Sequence, residues 1–385
     1  MGDALFLAAG FALGFLGGLL PGLHSNTMIS VLSSLGLDEQ DLALVIMALF
    51  PAHLISSFIP SIFFGIPESA TVMGCLPGHR MVLKGRGLEA LKTVLLSCVF
   101  SALLCALIFG LSLGFFPLAY GLIKPHMGYL LLLMSLMLLF RGKRPLHASA
   151  LFLLSGILGY LALNSGMKDP FLPLFSGMFA LAAMIDARGG VVPEQKDGPA
   201  DFSVLRCAVL GTLLGMIALL VPGAGSPSQV ATFATIAVPM ETAAYLSTIS
   251  SISVSQAVLS LSTSASIGKS RVGATAWLSE LMDIESEIVM LLAVFVSAII
   301  AAALLAYLLR GIFARMASQD LRPLNLILGT YIIAVTFVID GLPGLLVLSA
   351  SASLGLVCLR CGVERTNLMG AMIIPTLMLL FGLFL

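Results

Sequence analysis

The side chains in this chain that could do chemistry cluster where an apolar helical pattern is broken by Pro-Gly. At the first break, Gly10, Gly14, Pro21 and Gly22 lead to His24, Ser25, Asn26 and Thr27. At the second, Gly211, Gly215, Pro222 and Gly223 lead to Ser226, Ser228 and Gln229. Gly10, Gly14, Pro21, Gly22, Ser25 and Thr27 recur as Gly211, Gly215, Pro222, Gly223, Ser226 and Ser228 at one constant offset of 201 residues. A helix broken inside a bilayer leaves backbone N–H and C=O groups unpaired, each costing on the order of several kcal/mol unless protein, water or a ligand satisfies it. The helix that restarts beyond the break points roughly half a positive charge toward it. An anion is the natural occupant, and Ser25, Asn26, Thr27, Ser226, Ser228 and Gln229 would offer it neutral hydrogen bonds. One such site would read as a helix N-cap alone. Two at one offset point to binding.

A second interrupted region, Phe64-Gly65-Ile66-Pro67-Glu68-Ser69-Ala70-Thr71, adds Glu68, Ser69 and Thr71 as substrate ligands and Pro67 as a third helix break. A carboxylate at membrane depth is costly and is a functional hypothesis by default. The plainer reading is that Pro67 and Glu68 open a helix. Glu68 or His24 could carry a proton, with His53, beside Pro51, a weaker candidate. Arg80, Lys84 and Arg86 read as a cytoplasmic anchor, and Glu241 and Asp340 as helix-end acids. Cys358-Leu359-Arg360-Cys361 has C-x-x-C spacing but no second ligand pair, so no metal and no cofactor are expected. No G-x-S-x-G, H-E-x-x-H, P-loop or dinucleotide fingerprint occurs, and the chain is not expected to be an enzyme.

The elements that must position these residues lie in a membrane. The chain has 385 residues, 59% hydrophobic and 10% charged, with a net charge of +0 and a mean hydropathy of +1.10. Soluble domains carry about 25% charged residues. This chain could not cover a water-facing surface, and an all-α polytopic membrane protein is expected. Zero net charge gives no basis for a nucleic-acid partner. With Asp3 where a basic region would stand, a cleavable signal peptide is not expected. Apolar runs fall at 4–20 (resuming to about 35), 42–64, 88–118, 126–140, 146–163 and 170–185, then at 203–221, 241–261, 288–309, 323–339, 342–359 and 367–385. The piece between 64 and 87 reads as a re-entrant hairpin or broken helix. The polar stretch 186–202 reads as a linker between a first repeat, 1–185, and a second, 203–385.

Two further matches support the repeat. Gly87 and Ala90 recur as Gly273 and Ala276 at an offset of 186, and Leu158, Gly159, Leu163 and Gly166 as Leu354, Gly355, Leu359 and Gly362 at an offset of 196. Basic loops mark the cytoplasmic side. They fall at 80–86 and 141–144 in the first half, and at 310–322 and Arg360 with Arg365 in the second. These are alternate positions, as inverted-topology repeats would produce.

With those residues in view, the chain resembles the large membrane subunit of tripartite tricarboxylate transporters, the TctA family, and among them the shorter archaeal-type members. The stretches that carry the resemblance are Gly14…Pro21-Gly22-Leu23, Gly215…Pro222-Gly223-Ala224-Gly225, and Phe64 to Thr71 followed by Leu76-Pro77-Gly78-His79-Arg80 and Lys84-Gly85-Arg86-Gly87. Phe64-Gly65-Ile66 stands where the family has an Asn, and Pro239-Met240-Glu241 is a remnant of its Asn-rich second-half element. The resemblance implies an ion-coupled secondary carrier for carboxylates such as citrate. It would sit in a prokaryotic plasma membrane as a multi-pass protein, in contact with lipid, with a small membrane subunit and an extracytoplasmic binding protein as partners. The expected mechanism is alternating access, coupled to Na⁺ or H⁺, around a substrate held at the paired breaks. The alternative is a translocase for a lipid-linked anion such as a polyprenyl phosphate. A homo-oligomer is compatible with either.

Overall fold

The computed structural model describes residues 2–20, 23–65, 72–186, 192–198, 202–221, 230, 240–319 and 322–383. Among them every regular element is helical. The first half comprises α1 (Gly2–Gly18), α2 (Ser25–Ser33), α3 (Glu39–Ser56), α4 (Phe58–Phe63), α5 (Val72–Val82), α6 (Gly87–Ile123), α7 (Met127–Arg141), α8 (Pro145–Leu163), α9 (Phe171–Phe175) and α10 (Ala182–Asp186). A π-helical stretch, Ser176–Leu181, joins the last two. The second half comprises α11 (Leu205–Ala218), α12 (Thr242–Ile267), α13 (Gly273–Leu281), α14 (Ile288–Ala317), α15 (Arg322–Arg360) and α16 (Gly370–Leu380), the last preceded by a 3₁₀ turn, Arg365–Met369. Six helical stretches among the described residues are long and apolar enough to cross a membrane: Glu39–Phe63, Gly87–Phe140, Pro145–Leu163, Thr242–Ile267, Ile288–Ala317 and Asn325–Arg360. The protein is an all-α, multi-pass membrane protein.

One detail of the sequence pattern resolves differently in three dimensions: Pro77 and Gly78, which read as an interruption, lie inside α5. The runs at 323–339 and 342–359 are two helices, together labelled α15, with non-helical Gly341 between them at φ 63° and ψ −148°, a backbone conformation that L side chains rarely adopt.

The glycines at the breaks have a packing role. A β-carbon at Gly10 or Gly14 would strike the carbonyl of Val45 or Leu49 on α3, and one at Gly211 or Gly215 the carbonyl of Thr248 or Ile252 on α12. Small residues thus let backbones touch, as membrane helix pairs require. In both pairs the contacts advance together along the chain, so α1 runs parallel to α3 and α11 parallel to α12. Gly18 lies against the carbonyl of His53, and Leu23 C=O is still level with His53. The chain from there to Glu39 must therefore descend about 21 Å, the rise of the fourteen helical residues between 39 and 53. α2 lies back against α1, with Met28 on Gly17.

The centre is built from α3 with α4 and from α12. The α3–α4 span is wholly buried and α12 almost so, whereas α6, α14 and α15 show most of their surface outward. α12 carries few bulky side chains, so α6 packs closely on it in parallel register. Ser97 Oγ donates to Ser247 Oγ at 2.7 Å, and Ser112 Oγ to Ser262 Oγ at 2.7 Å, each pair 150 residues apart. Between them Ser101 Oγ donates to the Ser251 carbonyl at 3.1 Å. The serine-rich run is therefore a hydrogen-bonded seam.

The described part of the linker is a docked strap. Gln195 Oε1 accepts Gly87 N–H at 2.8 Å, its Nε2 donates to Val82 C=O at 3.0 Å, and Lys196 N–H donates to Gly85 C=O at 2.9 Å. Asp197 pairs with Lys92 and, at 3.5 Å, with Arg310 Nη2. Arg144 Nη1 donates to Cys361 C=O at 3.0 Å. These contacts join the basic loop at 80–86 to the 310–322 loop, and the 141–144 loop to the Arg360–Arg365 loop.

Candidate functional site

The first turn of α2 stands where four other segments converge. His24, in extended conformation at φ −71° and ψ 147°, is its N-cap. Its ring Nδ1 accepts Asn26 N–H at 3.2 Å, doing what a Ser or Asp side chain does at most helix starts. That nitrogen therefore carries no hydrogen. The His53 ring, 6.3 Å away centroid to centroid, faces the Leu23 carbonyl with Nε2 at 2.8 Å. A carbonyl can only accept, so Nε2 of His53 is the protonated nitrogen. Each ring thus has its tautomer assigned by the backbone it holds.

Ser25 and Thr27 are buried, each 2% exposed. Thr27 Oγ1 donates to Asp169 Oδ2 across 142 residues of sequence. Asp169 is itself buried, at 7%. Its Oδ1 accepts Leu172 N–H at 3.2 Å, which caps α9, and its own N–H donates to Asp340 Oδ1 at 3.0 Å. Asp340 immediately precedes the bend at Gly341, and its other oxygen, Oδ2, is buried without a hydrogen-bond partner among the described residues. Asn26 covers Gly273, the first residue of α13, so closely that a β-carbon there would strike its amide. The start of α2 is thus bounded by α3, by the loop before α9, to which the α15 bend is hydrogen-bonded, and by the start of α13. The α15 bend and α13 belong to the second half.

The sequence-predicted residues divide accordingly. His24, Ser25, Asn26 and Thr27 come together, with His53 beside them. Ser226, Ser228, Gln229, Glu68, Ser69 and Thr71, together with the breaks Pro21, Gly22, Pro222, Gly223 and Pro67, lie outside the described residues. Asp169 was not singled out from sequence, although Asp169-Pro170 soon after Gly166 is a helix-start signal. Asp340, read as a helix-end acid, receives the N–H of Asp169. Cys358 gives its thiol to the Val363 carbonyl at 3.3 Å, and the C-x-x-C spacing falls at the end of α15.

Comparison with known proteins gives the family. The profile described as "Tripartite tricarboxylate transporter TctA family" matches residues 4–370. An uncharacterized protein of Methanocaldococcus jannaschii is 28% identical over 236 residues, which cover 57% of this chain and 58% of the relative. The chain therefore spans little more than half the length of that curated relative. No solved structure matches.

Proposed function

Because the chain belongs to the tripartite tricarboxylate transporter TctA family, we propose that it carries a small carboxylate anion across a prokaryotic cell membrane, coupled to Na⁺ or H⁺, by alternating access. The observation that carries this reading is that elements of both halves bound the α2 start. A site at the junction of two repeats changes its exposure when one repeat rocks against the other.

Inverted repeats are part of the proposal, and three contacts support them. α6 begins with Gly87 against Phe63, at the far end of α4, so the chain turns back there. α6 and α12 share a parallel register, which sets α12 opposite in direction to α3, its counterpart. The two halves also exchange helices. Gly159 of α8 receives the backbone of Ala371 in α16, while Gly355 of α15 receives that of Met178 in the π-helical stretch. Gly159 and Gly355 are repeat mates.

In this carrier the coupling cation sits at Asp169. Thr27, expected from sequence as an anion ligand, gives its hydroxyl to that carboxylate, so the pair suits a cation, and Ser25 and Asn26 remain for the substrate. His24 as a proton carrier would have to release the Asn26 N–H, because protonation at Nδ1 removes the acceptor. The basic loops at 80–86, 141–144 and 310–322, with Arg360, face the cytoplasm, whereas Arg365, expected from sequence to mark the same side, is buried. A small membrane subunit and an extracytoplasmic binding protein are the partners that the family implies.

The test is uptake of labelled citrate into proteoliposomes holding this chain, with imposed Na⁺ or H⁺ gradients. Gradient-driven accumulation is expected. Accumulation indifferent to both gradients, from folded protein supplied with a small subunit and binding protein of the family, would contradict the reading.

A further inference from the structure

The second half carries a buried cation that the mechanism above does not use. Arg365 opens the 3₁₀ turn before α16 and is 8% exposed. Among the described residues, its Nε and Nη1 are both buried without a hydrogen-bond partner. These atoms lie on the two different edges by which a guanidinium grips a carboxylate. The next two residues repeat the pattern. Thr366, 1% exposed, has its hydroxyl unpartnered. Asn367, 3% exposed, donates Nδ2 to the Glu364 carbonyl at 2.9 Å, which fixes the amide and leaves Oδ1 as an acceptor without a donor. Arg271 makes an informative contrast: its Nε and Nη2 also lack hydrogen bonds, but its guanidinium rests over the Tyr120 ring at 5.6 Å.

Removing a guanidinium from water costs several kcal/mol unless an opposite charge answers it, and a buried donor left unmade is costlier than one never present. Packing around the turn is otherwise tight. Leu368 and Met369 join the apolar cluster of Leu151 and Phe152, and Gly370 lies against the Phe152 carbonyl. A well-packed turn that keeps three consecutive polar side chains unsatisfied by the described residues is suited to receive a ligand.

The repeat places this turn opposite Asp169. Gly166 and Gly362, repeat mates at an offset of 196, both adopt positive φ, 73° and 62°, just past a helix end. Three residues beyond each stand Asp169 and Arg365. Equivalent positions in the two halves thus carry opposite charge.

We propose that Arg365, with Thr366 and Asn367, is the anion-binding end of the substrate site, taking a carboxylate on the guanidinium and a substrate hydroxyl on Asn367 Oδ1. This rests on the carrier reading and names the substrate class within it as a hydroxy-carboxylate. The two halves then divide the work, cation in the first and anion in the second.

The test is thermal unfolding of the purified full chain in neutral detergent, followed with a thiol-reactive dye that reports exposure of the buried cysteines. The probes are citrate, tricarballylate (which lacks only the hydroxyl) and phosphatidylglycerol. Citrate is expected to raise the melting temperature of the unaltered protein, with a smaller rise from tricarballylate. Arg365→Gln is expected to weaken citrate roughly tenfold or more, yet to melt no lower than the unaltered protein when citrate is absent. Arg365→Lys is expected to recover part of the binding, and Asn367→Ala to abolish the preference for citrate over tricarballylate. A clear loss of stability in ligand-free Arg365→Gln would assign the arginine a structural partner and overturn the proposal. Unchanged citrate binding by that variant would overturn it while leaving the carrier reading intact. An Arg365-dependent rise with phosphatidylglycerol alone would assign the site to a lipid headgroup and overturn it. Absence of any citrate effect on a protein that also fails to accumulate citrate would overturn both.

Discussion

A buried carboxylate is defined by what it accepts, and Asp169 accepts a hydroxyl and a backbone amide rather than a buried guanidinium. In the proposed carrier, a cation that can come and go would bind there. Thr27→Val keeps the shape and deletes the donor, so it should cost about 1–3 kcal/mol of stability, read as a lower melting temperature. Asp169→Asn keeps the cap on Leu172 through its oxygen but removes the charge. It should abolish gradient-driven accumulation of citrate while sparing citrate–citrate exchange, measured side by side in the same vesicles. Loss of both would assign Asp169 to folding or to substrate binding. His24, Ser25, Asn26 and Thr27 were legible in the sequence because Pro-Gly followed by small polar residues is a local signal. Asp169 was not, because its partner lies 142 residues away and no periodicity reports such a contact.

At the scale of elements, the spans were legible because long apolar runs admit few other structures in a membrane. Their directions were not, since a helical pattern reads the same along or against its neighbour. The parallel α1–α3 and α11–α12 pairs emerge only from which carbonyls the glycines meet. Gly14→Ala should therefore force α1 off α3 at a cost of about 1–3 kcal/mol. Gly114→Ala is the control. It has open space around it on α6 and should be neutral or stabilising by up to about 1 kcal/mol. Equal effects, measured as melting temperatures, would contradict the packing. The strap at 192–198 was legible as polar and not as docked, because the bonds of Gln195 are to backbone groups in the 82–87 turn. Gln195→Ala should release it, increasing hydrogen exchange at the Lys196 amide. The hydrogen bond from Lys92, with help from the charge of Arg310, holds the Asp197 carboxyl below the usual carboxylate range. A depressed folded pKa contributes stability above the unfolded value and loses it as pH falls through the folded one. The Lys196 amide should thus stay protected at neutral pH and lose protection only in acid below that range. Asp197→Asn should reduce it already at neutral pH.

In the proposed two-repeat carrier the most buried helices, α3 and α12, lie at the centre, while the peripheral contacts, α8 with α16 and α15 with the π-helical stretch, cross between the repeats. Such an exchange ties each half to the other at its rim while leaving the start of α2 between them. That is the arrangement a rocking carrier needs, since rigid bodies that share edges can tilt without separating. The most direct measurement is counterflow, in which proteoliposomes loaded with unlabelled citrate are diluted into a trace of labelled citrate with no ion gradient. A carrier that alternates its access should draw label in above the external concentration and then release it as the unlabelled pool runs down. Simple equilibration of label, with no transient excess, would mean a continuous pore or no path for citrate and would contradict the account.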